Sequence, residues 1–234
     1  MNKKQIISLA GIFILACGLM VFASVAKKHR TKIEWDGNPY QIENVNAVDA
    51  FFARPYNRPL DKIADGFVAL MLGGSCVIVA ISFLASKDKK ETFKATVFDA
   101  YTYCMCFFYS NGVYRILKTF AGRIRPYMYF ANPSEKGIAE FDFFRSWPSG
   151  HSANAFLAFA FLLVWFKVRY PDSKYRKPVL TVGLIVCVAT MILRMLSGNH
   201  FLTDVLSGAT FGFVISYCIA VLCNKIGGLA QENK

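Results

Sequence analysis

Two of the three histidines in this 234-residue chain lie beside other polar residues at the ends of long apolar runs. His151 closes the segment Pro-Ser-Gly-His, and His200 stands four residues before Asp204. On a helix, this separation places an imidazole and a carboxylate on the same face, so the carboxylate can accept one ring proton and leave the other nitrogen free to attack. His200 and Asp204 therefore predict a nucleophile with its orienting acid. His29 has basic neighbours but no matched partners of this kind, so we interpret it as a surface residue.

Cationic residues stand near both histidines. Lys118 is followed after six residues by Arg125, and Arg194 is followed after five residues by His200. In phosphoryl transfer, negative charge spreads over three equatorial oxygens, so the protein mainly positions the group and neutralises its charge. The three cations can supply that neutralisation, and the planar guanidinium of arginine can bind two phosphate oxygens at once.

The two residues before His151 suit the start of a helix that binds an anion. Ser149 is a preferred N-cap residue, and the free amides of a first helical turn bind phosphate with the help of the helix dipole. Gly150 allows a ligand to approach the backbone closely. The pattern as a whole predicts a phosphate site with two histidines in its wall.

The elements that must position these residues are membrane helices. The chain is 55% hydrophobic and 18% charged, with a mean hydropathy of +0.36, which is typical of an integral membrane protein. A helix crosses a bilayer with about 20 apolar residues. Six runs approach that length: residues 5–26, 67–86, 96–117, 152–166, 179–193 and 202–223. We therefore expect one all-α domain over residues 1–234, with six transmembrane helices and an active site at the ends of helices 3 to 6.

The basic residues indicate the orientation of the chain. Loops 87–94 and 167–177 are short and rich in Lys and Arg, so the positive-inside rule places both in the cytoplasm. The outward segments are then 27–66, 118–151 and 194–201. Basic residues just after the first run disagree with this orientation. The net charge of +12 is spread over short loops, so it favours membrane topology and anionic lipid over nucleic acid as a partner.

Two segments near the N-terminus carry further expectations. Residues 27–66 should hold an interfacial helix around 48–54. Residues 1–26 are either a retained span or a cleaved signal peptide, because two lysines precede an apolar run that ends in Ser-Val-Ala.

Three motifs, in the order Lys-x6-Arg-Pro, Pro-Ser-Gly-His and Arg-x5-His-x3-Asp, resemble those of the phosphatidic acid phosphatase type 2 superfamily. This superfamily also includes glucose-6-phosphatase and the vanadium-dependent haloperoxidases. The resemblance covers residues 118–204, and a compatible six-span frame lies on both sides. One departure is Leu193, which stands where the family usually has Ser before the arginine of the third motif.

The resemblance implies a role for each residue. His200 becomes a transient phosphohistidine, while His151 protonates the leaving oxygen and then activates the water that hydrolyses the intermediate. Asp204 completes the catalytic set. The phosphate-binding residues are Lys118, Arg125, Ser149, Gly150 and Arg194. No metal or other cofactor is expected, because no cluster in the sequence has metal-ligand spacing.

An outward-facing site beside a bilayer favours an amphiphilic substrate. The resemblance allows undecaprenyl diphosphate, phosphatidylglycerol phosphate, phosphatidic acid or the phosphates of lipid A, in the cytoplasmic membrane of a bacterium. Two alternatives remain open: a lipid phosphotransferase with the same intermediate, and a non-catalytic protein that binds or transports anionic lipid. Six spans without a large soluble helical domain argue against a haloperoxidase. The oligomeric state leaves no signal in the sequence.

Several polar and aromatic residues outside the motifs have simpler interpretations. We interpret Arg115 and Arg123 as anchors for phospholipid headgroups. Asn154 stands one turn from Ser149 and should support the start of its helix. The aromatic residues between the first two motifs predict a belt at the membrane interface.

Overall fold

The structure, a computed structural model, describes residues 1–30 and 33–227. Within these ranges the chain contains eight α-helices and no β-strand, which confirms the prediction of an all-α protein. The helices are α1 (Lys3–Lys28), α2 (Ala47–Phe52), α3 (Arg58–Ala85), α4 (Lys89–Ala121), α5 (Glu135–Ala139), α6 (Gly150–Arg169), α7 (Arg176–Leu196) and α8 (Leu202–Gly227).

Five of the described helices, α1, α3, α6, α7 and α8, are long and apolar enough to cross a membrane. They correspond to five of the six predicted spans. The remaining predicted span lies in α4, which is 33 residues long but less apolar than the other five. The protein is therefore an integral membrane protein with several spanning helices.

Helix α6 lies at the centre of the bundle. It packs against α3, α4, α7 and α8, while α1 packs mainly on α4. The apolar window of α6 is 61% buried by protein, against 22–33% in the other four apolar helices. Because α6 begins at the Ser-Gly-His motif, the most enclosed helix of the bundle is the one that carries the second motif.

Helix α3 begins nine residues earlier than the sequence analysis predicts, at Arg58 rather than residue 67. Asn57 caps its first turn by accepting a hydrogen bond from a backbone amide, and Pro59 supplies the fixed φ that a first turn favours. This extension makes Asp61 and Asp65 part of the helix instead of the outward loop. The loop predicted over residues 27–66 is correspondingly shorter.

Two other segments differ from the expectations. Helix α4 continues to Ala121, so Lys118 lies in its last turn rather than after the span. The aromatic residues between the first two motifs do not form an interfacial belt throughout, because Tyr127, Phe143 and Phe144 form a buried cluster. Burial of these rings fixes the loop that carries the first motif.

Helices α6 and α8 approach each other closely at two glycines. A Cβ atom added at Gly208 would lie 2.2 Å from the carbonyl oxygen of Ser149, and one added at Gly212 would lie 2.1 Å from that of Ala153. The two glycines are four residues apart, a pattern that allows membrane helices to pack backbone against backbone. The sequence analysis missed this spacing. The close contact that it allows fixes the position of the start of α6.

We predict that Gly212→Ala destabilises the protein, because its methyl group meets the Ala153 carbonyl. An overpacking cost of about 1–3 kcal/mol lowers the thermal unfolding midpoint in detergent. Gly73→Ala in α3 is the control, since no described atom lies within 4 Å of its added Cβ and alanine has the higher helix propensity. Equal midpoints for the two variants contradict the prediction.

Candidate active site

The predicted site residues meet at one cavity of about 500 Å³. Five of them line its wall: Lys118, Arg125, Gly150, His151 and His200. A smaller cavity of about 200 Å³ shares Arg125 and His151 with it, and Arg194 lines this second space. The structure therefore brings both motif histidines and the three motif cations to adjoining walls, although they come from three separate parts of the chain.

Two of the motif cations are held by buried or half-buried carboxylates. Arg125 forms an ion pair with Asp142 and donates from Nη1 to the side-chain oxygen of Asn199 at 3.0 Å. Arg194 forms an ion pair with Asp61 of α3. Burial alone would raise the pKa of Asp142, but Arg125, together with other nearby cations, outweighs this effect, so its pKa lies below the ordinary value. These carboxylates hold the cations in place within the protein.

His200 does not share a helix with Asp204, because α8 begins at Leu202. The predicted geometry of two side chains on one helical face is therefore wrong. The ring Nδ1 of His200 instead lies 3.6 Å from Oδ2 of Asp204, longer than a hydrogen bond. This nitrogen is buried and has no hydrogen-bond partner among the described residues. The carboxylate thus stands beside the imidazole, with a contact that a small movement of the ring would close.

The carboxylate of Asp204 is fixed by other donors. Its Oδ2 accepts from the hydroxyl of Ser146 at 2.5 Å and from the backbone amide of Phe201 at 2.9 Å. Its Oδ1 accepts from Nη1 of Arg123 at 2.5 Å. Three donors from separate segments thus hold one carboxylate at the first turn of α8.

The imidazole of His200 is almost completely buried, at 1% exposure. Burial lowers its pKa well below the ordinary value, and the charges of Lys118, Arg125 and Arg194 lower it further. His200 is therefore uncharged at neutral pH, with a lone pair on one ring nitrogen. An uncharged imidazole among cations is suited to attack an electrophile that carries negative charge.

The start of α6 has the predicted form. Ser149 is its N-cap, and its hydroxyl accepts from the amide of Ser152 at 3.4 Å. The amide of Ser149 donates to the carbonyl of Asp204 at 2.9 Å. A Cβ at Gly150 would lie 3.0 Å from the ring of Tyr114, so the glycine also makes room for a neighbouring side chain. The first turn of α6 faces the cavity through Gly150.

Asn154 supports the site through a different neighbour than expected. Its side-chain oxygen accepts from Nδ2 of Asn111 in α4 at 2.8 Å. Asn111 in turn accepts from the hydroxyl of Tyr114 at 2.8 Å. The hydrogen bond between Asn154 and Asn111 therefore joins α6 to α4. Asn154 also lines the cavity, one turn further along α6 than His151.

Two acidic residues at the site were missed by the sequence analysis. Asp65 Oδ1 lies 2.7 Å from Nε2 of His151, and Asp61 pairs with Arg194 and accepts from the hydroxyl of Tyr56 at 3.0 Å. Their separation of four residues places both on one face of α3. The signal that could have revealed them is the Asn-Arg-Pro segment that starts the helix.

Arg123 is not a headgroup anchor, which corrects the interpretation from the sequence. It bridges two fully buried carboxylates, with Nη2 at 2.6 Å from Asp49 and Nη1 at 2.5 Å from Asp204. Asp49 of α2 also accepts from the amide and hydroxyl of Thr203, at 3.0 and 2.6 Å. Burial would raise the pKa of Asp49, but these donors lower it below the ordinary value. Helix α2 thus packs on the start of α8 and, through Asp49, holds Arg123 and Thr203 in place.

The arrangement can bind a phosphate-like anion between cations and present two histidines to it in different environments. Nδ1 of His200 has no hydrogen-bond partner among the described residues, while Nε2 of His151 contacts the carboxylate of Asp65. Across residues 1–30 and 33–227, no group of three or more His, Cys, Asp or Glu side chains is placed to hold a metal ion.

The bundle and this cavity define a class of protein, a helical membrane protein with a cationic site that contains two histidines at the helix ends. Residues 99–227 match the model of the PAP2 superfamily, and the chain belongs to that superfamily. This finding confirms the resemblance on which the motif residues were assigned.

Two relatives illustrate the similarity. The chain is 33% identical over 89 residues to phosphatidylglycerophosphatase B of Bacillus subtilis, a match that covers 37% of this chain and 43% of that protein. It also resembles the crystal structure of a transmembrane PAP2-type phosphatidylglycerolphosphate phosphatase from Bacillus subtilis. The TM-score is 0.52 at 19% identity, over 94% of this chain and 98% of the other. At this identity, the second match shows a shared fold.

We predict that Arg123→Met destabilises the protein, because it leaves Asp49 and Asp204 buried without their shared cation. Breaking a buried ion pair typically costs about 3–5 kcal/mol, which thermal unfolding in detergent measures. Lys136→Met is the control, since its pair with Glu140 is largely exposed and such pairs contribute little. A shift no larger than that of the control is incompatible with the bridging role.

Proposed function

We propose that the protein is a lipid phosphatase that removes phosphate from a lipid phosphate monoester or diphosphate through a phosphohistidine. The observation that carries this proposal is the shared cavity, in which both motif histidines stand among the cations of the family motifs. A site that only binds an anion requires the cations, but not two imidazoles in different environments. Membership of the PAP2 superfamily supports the same activity.

In the first step, Nε2 of His200 attacks the phosphorus atom and forms a P–N bond. The P–O bond to the lipid breaks, and its electron pair stays on the lipid oxygen, which takes a proton from His151. Lys118, Arg125 and Arg194 neutralise the charge on the equatorial oxygens. The amides at the start of α6 add further donors.

In the second step, water attacks the phosphohistidine. His151, now without its extra proton, accepts a proton from the water as the new P–O bond forms, and the P–N bond breaks to leave His200 uncharged. Inorganic phosphate then leaves the cavity. No divalent metal takes part in either step.

Asp204 stabilises the positive charge that His200 acquires when it attacks. Its oxygen stands 3.6 Å from Nδ1, and catalytic hydrogen bonds often tighten only when the substrate is bound. The three donors that fix Asp204 keep its carboxylate in position for that movement.

Asp65 has a corresponding role for His151. Its carboxylate lies 2.7 Å from Nε2, so it orients the ring and stabilises the imidazolium form, while Nδ1–H is left as the donor for the leaving oxygen. Asp65 is thus a positioning residue that acts through His151.

The proposed location is the cytoplasmic membrane of a bacterium, with the site on its outer face. The basic loops that join α3 to α4 and α6 to α7 support this orientation. All the motif residues stand at the opposite ends of these helices. A lipid headgroup in the outer leaflet would then reach the cavity directly.

The test of the function is phosphate release by the purified protein in detergent, with a panel of lipid phosphates and diphosphates. Release of inorganic phosphate supports the hydrolase. If phosphate appears on an added acceptor lipid instead of in solution, the protein is a phosphotransferase with the same intermediate. Saturable binding without any turnover would assign it to non-catalytic lipid binding.

We predict that His200→Ala lowers kcat by more than about 10³-fold, because the nucleophile is lost. The wild-type protein should also retain label from a ³²P-labelled substrate in a form that is stable in base and labile in acid, as expected for a P–N bond, and His200→Ala should not.

His29→Ala is the matched control for this test, since its side chain is exposed and outside the cavity. The assays are carried out with and without EDTA. Wild-type turnover in His200→Ala, or loss of wild-type activity in EDTA, rules out the mechanism.

We predict that Asp65→Asn lowers kcat on lipid substrates about 10- to 100-fold with a smaller change in KM, because general acid–base catalysis contributes on the order of 10²–10⁴. Hydrolysis of p-nitrophenyl phosphate, whose leaving group needs no proton, should fall much less. Glu140→Gln removes an exposed carboxylate at the rim of the smaller cavity and serves as the control. Equal losses on both substrates would indicate a purely structural role.

A further inference from the structure

The cavity that holds the two histidines carries a second group of cations on its wall. These are Lys27 of α1, Arg115 of α4 and Arg145 of the loop before α6. None of the three belongs to the family motifs, and none is used in the two steps above. Arg115, which the sequence analysis interprets as a headgroup anchor, also lies on this wall.

The charge on this wall exceeds what one phosphate can neutralise. Five cationic side chains and one carboxylate, that of Asp142, line the cavity. A phosphate monoester brings at most about two negative charges. Two positive charges on the wall therefore remain available to a second anion when one phosphate is bound.

Arg145 provides a separate indication of a second anion. It is 8% exposed, and its Nη1 donates to Asp142 at 3.2 Å, a carboxylate that it shares with Arg125. Its Nε is buried and has no hydrogen-bond partner among the residues described. Burial lowers the pKa of Arg145, and the opposing effect of Asp142 does not restore it to the ordinary value. A buried donor without an acceptor is unfavourable, and an anion in the cavity would supply the acceptor.

Helix α4 carries one member of each group of cations. Arg115 precedes Lys118 by one turn, about 4.5 Å along the helix axis, on the same face. It is therefore further from the end of α4 than Lys118 is, which in the proposed orientation is the direction of the lipid chain. A phosphate group displaces a few waters of about 30 Å³ each, so the 500 Å³ cavity has room for a second one.

We propose that Lys27, Arg115 and Arg145 bind a second phosphate of the substrate, the one next to its lipid chain, so that the enzyme prefers lipids with two phosphates over lipids with one. This proposal rests on the proposed phosphatase function and names the substrate class of the same site. Two chemical classes fit: a lipid diphosphate, and a lipid whose phosphodiester is followed by a terminal phosphomonoester. In both, the terminal phosphate reaches His200 while the inner phosphate meets this second group.

The test compares kcat/KM within two matched pairs of substrates. One pair is a prenyl diphosphate and the corresponding prenyl monophosphate, and the other is phosphatidylglycerol phosphate and phosphatidic acid. In one of the pairs, we expect kcat/KM for the lipid with two phosphates to be at least tenfold higher than for the lipid with one. The pair that shows this difference identifies the chemical class of the substrate. In the variant Lys27→Gln/Arg115→Gln, this ratio should fall at least tenfold. Both side chains are exposed, so the variant should fold.

Lys28→Gln is the matched control, because it removes an exposed lysine adjacent to Lys27 that does not line the cavity, and the ratio should not change. A wild-type ratio near one in both pairs overturns the second phosphate site while the phosphatase function stands. The same holds if the double variant loses activity equally on both members of the pair. If the wild-type protein releases no phosphate from any of the four lipids, the phosphatase function and the second phosphate site are both rejected.

Discussion

The site depends on the close approach of α6 and α8. Gly208 and Gly212 let the two backbones meet, and the amide of Ser149 then donates to the carbonyl of Asp204. This bond joins the N-cap of α6, which carries the second motif, to the first turn of α8, which carries the aspartate of the third motif. In a membrane, helix association cannot rely on burying apolar surface from water, so close packing of small residues provides much of the interaction. The catalytic geometry is consequently tied to the helix contact itself.

Charge compensation is the second constraint on the architecture. Buried cations are tolerated only when carboxylates or hydrogen bonds stabilise them. Asp142 forms an ion pair with Arg125, and Asp61 forms one with Arg194. Conversely, the positive charge of Arg123 compensates the buried carboxylates of Asp204 and Asp49. None of these compensating partners is a specified residue of the three family motifs, so the loops and the extended start of α3 are part of the site rather than simple connections.

The two histidines differ in environment in a way that matches their proposed roles. His200 is buried among cations and uncharged, which suits a nucleophile. His151 contacts the carboxylate of Asp65, which suits a group that must hold and release a proton. Pairs of titratable groups in contrasting environments are a common means of dividing acid and nucleophile roles within one site. Because ion pairs hold Arg125, Arg194 and Asp204 within the protein, the proposed site is largely preorganised for an anion.

Motif spacing and composition determined the class of this protein. The apolar runs predicted the helices, because a bilayer requires about 20 apolar residues in one segment, and the polar residues at their ends marked the motif cations and both histidines. The supporting residues left weaker signals. The segment that begins at Asn57 indicates an earlier start of α3, and the four-residue spacing of Gly208 and Gly212 indicates a close helix contact. No sequence signal indicates the role of Asp49.

Only the tertiary structure decided how these residues meet. In the structure, His200 lies before the helix that contains Asp204. Arg123 forms ion pairs with both Asp49 and Asp204 instead of anchoring a lipid headgroup. Lys27 and Arg145 line the same cavity. The physical reason is that ion pairs and cavity walls join residues far apart in the chain, so local periodicity and spacing carry no information about them.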